Sequence, residues 1–181
     1  MLLETPGCTF GDVHHHFILP DAHGVRHDVN EHLGERGLLL AFICNHCPYV
    51  IAIADRLAED AKLLMDAGIG VLAINSNDYR TYPADAPDRM PEFAEKHGFT
   101  FPYLIDADQE VARKYGAVCT PDFFGFNADG LLQYRGRLDD AGMRDARGRT
   151  PELLEAMRQI AETGTGPQDQ TPSMGCSIKW R

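Results

Sequence analysis

A chain of 181 residues, 44% of them hydrophobic, is long enough for one domain with a full core and an added loop or tail. Its 27 acidic and 17 basic side chains give a formal charge of −10, which argues against nonspecific binding to nucleic acid or to an anionic membrane surface. No apolar run has transmembrane length, and the N-terminus, MLLETPGCTFGD, lacks the basic-then-apolar order of a signal peptide, so the expectation is a cytoplasmic protein with no membrane partner.

Taken in chain order, residues 17–20 read as a short strand entering the Asp21-Ala22-His23-Gly24 turn, with residues 25–29 returning as the second arm of a hairpin. Residues 31–36 form a short helical or turn segment. Residues 38–43, Leu-Leu-Leu-Ala-Phe-Ile, lack alternation and read as a central strand covered on both faces. Residues 50–67 repeat apolar positions at helical spacing, and Pro48 suits the first turn of that helix. Residues 69–74 are a second buried strand. Residues 75–91 are polar, hold Pro83, Pro87 and Pro91, and read as a loop near the end of the sheet. A helix at 92–97, a strand at 102–105, Asp106 as a helix cap and a helix at 109–115 follow. Residues 122–126 and 131–135 form a hairpin about Asp129-Gly130. A polar loop at 139–149, a helix at 151–162 and a mobile tail from Gly164 complete the chain. This order predicts an α/β domain over residues 1–162, with a central mixed sheet flanked by helices, and a cysteine-containing tail over 163–181.

Chemistry concentrates in Cys44-Asn45-His46-Cys47, where the central strand gives way to a helical pattern. Two thiols three positions apart can meet across the first turn of a helix, and a helix N-terminus favours a thiolate. On this reading Cys44, which comes first, attacks a disulfide and Cys47 resolves the mixed intermediate. A cationic His46 beside the pair would favour the thiolate. The five cysteines, Cys8, Cys44, Cys47, Cys119 and Cys176, are an odd number and do not suit a purely structural disulfide framework. A CxxC also occurs in zinc sites, so a copper- or zinc-binding module using His46 and the cysteines is an alternative of another class. His14, His15 and His16 would be its further donors.

Later in the chain, Cys119-Thr120-Pro121-Asp122-Phe123-Phe124 places a proline at a turn before a strand. This resembles the Thr–cis-Pro element that faces the active cysteines in thioredoxin-fold proteins. Together with FILPDAHG, CNHCPYV and the tail PSMGCSIKW, it makes the chain similar to the peroxiredoxin-like branch of the alkyl hydroperoxide reductase/thiol-specific antioxidant superfamily, over about residues 5–160 and again in the tail. The resemblance implies a thioredoxin-like fold with an N-terminal hairpin extension and an extended C-terminal tail. It also implies a cis Pro121 and a Thr120 backbone that contacts substrate.

The resemblance carries a second assignment of roles. In the PxxxT/SxxC pattern of peroxiredoxins, Cys47 takes the peroxidatic position, Cys44 the Thr/Ser position and Leu40 the proline position. Cys47 would then become a sulfenic acid, with Cys44, Cys119 or Cys176 as the resolving thiol and Arg137 as a positive partner near the end of the sheet. Disulfide exchange through the CxxC is the leading expectation and peroxide reduction through Cys47 the alternative. Either way the substrate is a protein disulfide or a peroxide, and the implied reductant is thioredoxin or another dithiol. No flavin, haem, nicotinamide or metal cofactor is called for, and a homodimer is compatible with the sequence.

Overall fold

The computed structural model describes residues 1–181. Its elements are β1 (Leu2–Glu4), β2 (Ile18–Pro20), β3 (Arg26–Asp28), α1 (Val29–His32), β4 (Gly37–Phe42), α2 (Pro48–Ile51), α3 (Ala54–Asp66), β5 (Ile69–Asn75), α4 (Met90–His97), β6 (Tyr103–Ile105), α5 (Glu110–Tyr115), β7 (Cys119–Thr120), β8 (Asp122–Phe126), β9 (Leu132–Tyr134), α6 (Glu152–Thr163) and β10 (Met174–Ser177). Five strands form the main sheet in the order β6-β5-β4-β8-β9, with β4, β5 and β6 parallel to one another and β8 antiparallel to both β4 and β9. This is a thioredoxin-like fold, and β4 is the central strand that its unalternating apolar run predicts.

All six residues of β4 are buried because each face of the sheet carries its own core. Leu39 and Ala41 point to the face covered by α3 and α6, together with Ile43, Cys44 and Cys47. Leu38, Leu40 and Phe42 point to the other, where Tyr115 of α5 packs edge-on against Phe124, Phe126 and Phe17. The β2–β3 hairpin supplies Phe17 and Leu19 to this second core, which gives the N-terminal extension a packing role.

Two expectations are corrected. The helix anticipated over 50–67 is two helices, α2 and α3, separated at Ala52–Ile53. Here the bond from the Ile53 N–H to the Val50 carbonyl (3.1 Å) tightens the turn, and Arg56 Nη1 donates to the Ala52 carbonyl (3.0 Å). The tail from Gly164, expected to be mobile, instead supplies β10, the middle strand of a second sheet ordered β1-β10-β7. Ser173 Oγ donates to the Pro121 carbonyl (2.7 Å), and the Lys179 N–H to Asn77 Oδ1 (2.9 Å), tying the tail on both sides of the strand.

The 139–149 loop is irregular as expected, yet fixed. Asp139 accepts from Arg56 Nε (2.7 Å), and Arg149 spans Asp139 and the buried Asp60 of α3. Backbone crossings between α1 and β5 need glycine: a Cβ at Gly70 would collide with the His32 carbonyl, and one at Gly34 with the Gly68 carbonyl. Gly70→Ala is therefore expected to destabilise the protein by about 3 kcal/mol, seen as a lower urea midpoint, because neither contact is the movable end of a side chain.

Candidate functional site

Cys44 follows the carboxyl end of β4 and stands outside any helix; the helix begins only at Pro48, which occupies its first position. Cys47 is thus the N-cap residue, and it is Cys47, not Cys44, that meets the first turn. The proline lacks an N–H and starts the helix at no hydrogen-bonding cost. Both thiols are buried, with 1% exposure for Cys44 and 0% for Cys47.

Thr120 and the cis-linked Pro121 face the pair from the end of β7. Thr120 Oγ1 lies 3.4 Å from Cys44 Sγ, and the Thr120 carbonyl accepts from protonated Cys47 Sγ at 3.3 Å. Cys176 reaches Cys47 from β10, where it sits opposite Thr120 in register. It packs against the cluster that holds Cys44 and Cys47, on the strand opposite the Thr120 carbonyl that Cys47 Sγ meets. Cys119 lies on the same strand as Thr120 but turns its thiol toward the Pro121 carbonyl (3.8 Å).

These contacts set the two thiols apart electrically. The neighbouring Cys44 thiol, and after it Cys176 and the backbone at Val50, favour the ionised form of Cys47 against burial and hold it well below the usual thiol range. Cys44 moves far up, first through its bond to Cys47, then through burial and the nearby Asp85 charge. Burial likewise pushes Cys119 up to about 12 and Cys8 up to about 11, and raises Cys176.

The loop expected to border the sheet's end also holds the Cys44–Cys47 segment in place. Asp85, fully buried, accepts from the Asn45 N–H (2.7 Å) and from Asn77 Nδ2 (2.9 Å). Tyr103 Oη donates to Asn45 Oδ1 (2.9 Å). His46 Nδ1 lies 2.6 Å from Asp85 Oδ2 without the alignment of a directed hydrogen bond, and its ring stacks on Tyr82 with planes 2° apart. Cys44, His46 and Asp85 present donor atoms within 4.8 Å of one another, so these three could hold a cation. The carboxylate already serves two amides, which orients it as a structural acceptor. The three consecutive histidines lie elsewhere: His14 bonds Asn30 (2.9 Å) and His16 bonds Asp28 (3.1 Å).

Arg137, the candidate positive partner, pairs with Glu152 at 2.7 Å and is about one-third exposed. The cation beside the Thr120–Pro121 corner is Arg135, which sequence reasoning missed. It donates through Nη2 and Nε to the buried Asp122 (2.9 and 3.3 Å) and stacks over Phe124. Burial raises the Asp122 carboxyl despite this partner. Asp85 and Tyr103 were also missed; neither has a local signature, because each is recruited across the sheet end by folding. A cavity of about 430 Å³ is lined in part by Tyr49, Ile53, Pro121, Arg137, Met143 and Met174. Neither Cys44 nor Cys47 lines it.

Residues 10–135 match the AhpC/TSA family. Peroxiredoxin Bcp of Escherichia coli K12 is 28% identical over 132 residues, covering 73% of this chain and 80% of that protein. Thiol-disulfide oxidoreductase ResA of Geobacillus thermodenitrificans is 26% identical over 117 residues, covering 65% of this chain and 63% of that protein. A solved structure, described as an uncharacterized conserved protein from Geobacillus kaustophilus, aligns with a TM-score of 0.93 and 38% identity, over 100% of this chain and 97% of that one. No helix is long and apolar enough to cross a membrane.

Proposed function

Because this chain belongs to the AhpC/TSA family, we propose that its thiol oxidoreductase chemistry is the reduction of a peroxide by Cys47. The observation that carries this reading is the position of Cys47 at the N-cap of α2, facing Thr120 and the cis-linked Pro121, where its surroundings hold the thiol well below its usual range. Only the thiolate is nucleophilic. Cys47 S⁻ attacks one peroxide oxygen, the O–O bond breaks, and hydroxide or alkoxide leaves and takes up a proton. The product is Cys47 sulfenic acid. The neighbouring Cys44 then attacks that sulfur, water leaves, and a Cys44–Cys47 disulfide remains. A dithiol such as thioredoxin returns both thiols to the reduced state.

Cys44 is suited to this second role. Its raised thiol stays protonated beside the thiolate and stabilises it, and a ring nitrogen of His46 lies within 4.8 Å of its sulfur. Where peroxiredoxins carry a hydroxyl at position 44 this chain has a thiol, and Thr120 Oγ1 lies 3.4 Å from its sulfur. Attack led by Cys44 on a protein disulfide would need a thiol that its surroundings hold protonated.

Stopped-flow oxidation of the fully reduced protein by hydrogen peroxide tests this assignment. The rate is expected to stay nearly flat from about pH 8 to about pH 6, because Cys47 is already ionised there, whereas an ordinary thiol would lose about tenfold per unit. A tenfold fall per unit across that range would remove Cys47 thiolate from the account.

A further inference from the structure

We propose that Cys176 is the port through which reducing equivalents enter this buried site, as the third member of a linear thiol relay. The proposal rests on the reading that Cys47 and Cys44 end each turnover as a disulfide. Both of those sulfurs are closed off from solvent, whereas Cys176 is partly exposed. Cys47 Sγ meets the Thr120 carbonyl at 3.3 Å, Cys176 sits opposite Thr120 in register, and Cys176 packs against the cluster that holds both Cys44 and Cys47.

The placement of Cys176 is built into the fold. β10 pairs Cys176 with Thr120 on one edge and with Leu2 on the other. Gly175 lets the strand approach this closely, since a Cβ there would collide with the Thr120 carbonyl. The strand is held on both sides, by Ser173 on the Pro121 carbonyl and by the Ile178 N–H on the Val118 carbonyl (3.1 Å).

The relay has two exchanges. Cys176, as the thiolate, attacks Cys47 Sγ; the Cys47–Cys176 bond forms, the Cys44–Cys47 bond breaks, and the proton given up by Cys176 ends on Cys44. An external dithiol then attacks Cys176 Sγ at the surface. Cys47 leaves as its thiolate, which is the better leaving group of the pair. The reductant's second thiol cleaves the resulting mixed disulfide, so two electrons pass from the dithiol and Cys176 is returned as a thiol.

The test begins with the Cys44–Cys47 disulfide formed by diamide, so that it does not depend on any peroxide step. Reduction by thioredoxin is expected to slow at least tenfold in Cys176→Ser relative to wild type. Thioredoxin lacking its own resolving cysteine is expected to be captured at Cys176 of the wild-type protein, as mapped by mass. Diamide treatment of Cys44→Ser is expected to give a Cys47–Cys176 disulfide, which also checks that the thiols meet if Cys176→Ser folds poorly. Unchanged reduction in Cys176→Ser, capture of thioredoxin on Cys44 or Cys47, or no Cys47–Cys176 bond in Cys44→Ser would overturn the relay. Absence of peroxide oxidation with these diamide results intact would overturn the peroxidase reading alone.

Discussion

Cys47→Ser is expected to lower peroxide consumption by at least about 10³-fold, to the level of the remaining thiols. A serine hydroxyl cannot become a sulfenic acid, and no other thiol inherits the role. Burial raises Cys44, Cys119, Cys8 and Cys176 whether or not Cys47 is present. Cys44→Ser separates the steps. The first oxidation of Cys47 persists, slower because one donor to the thiolate is weakened, while formation of the Cys44–Cys47 disulfide is lost. A coupled assay with hydrogen peroxide and a thioredoxin system reads both variants, and near-wild-type turnover in Cys47→Ser would end the assignment.

Arg135→Leu is expected to cost about 3–5 kcal/mol of stability in urea unfolding, the largest loss for a single residue outside the thiol site. The guanidinium makes two bonds to Asp122 and a third to the Gly116 carbonyl (3.0 Å), and Asp122 directly follows Pro121. Without Arg135, the Asp122 carboxylate is left buried and uncompensated. The loss should shrink as the pH is lowered. Burial already raises the Asp122 carboxyl in the folded chain, so the folded state binds the proton more tightly than the unfolded state, and protonation relieves the penalty. Arg135→Leu combined with Asp122→Leu is expected to recover much of the stability, since the cost lies in the unpaired charge.

The parts of the fold legible in the sequence are those written in local pattern. The run 38–43 reads as a central strand because a strand covered on both faces carries no alternation, and the two core faces of β4 bear this out. The Asp129-Gly130 turn marks its hairpin for a similar reason. The tail did not read as structure because residues 164–173 are rich in glycine, proline and polar side chains, and the partners that order β10 lie far away at Leu2 and Thr120. The break between α2 and α3 was hidden by apolar spacing that runs through it.

The thiol pair, His46, Thr120 and Pro121 come together as their motifs suggest, and Cys176 joins them through the same β10. What spacing could not give was which of the two thiols stands at the helix start. Coming first in CxxC made Cys44 the natural nucleophile, but the helix starts one turn later, and the N-cap falls on Cys47. Asp85 escaped notice because a lone aspartate in a polar loop has no pattern until the loop folds over Asn45 and His46. Arg137 drew attention in place of Arg135 although the two lie two positions apart; which of them faces Asp122 is settled by the hairpin register.

The most direct test of the account is to treat the reduced Cys44→Ser/Cys176→Ser double variant with one equivalent of hydrogen peroxide and locate the sulfenic acid by dimedone labelling and mass spectrometry. The account predicts one adduct, on Cys47, formed rapidly and in near-stoichiometric yield. An adduct on Cys119 or Cys8, or no rapid adduct at all, would contradict it.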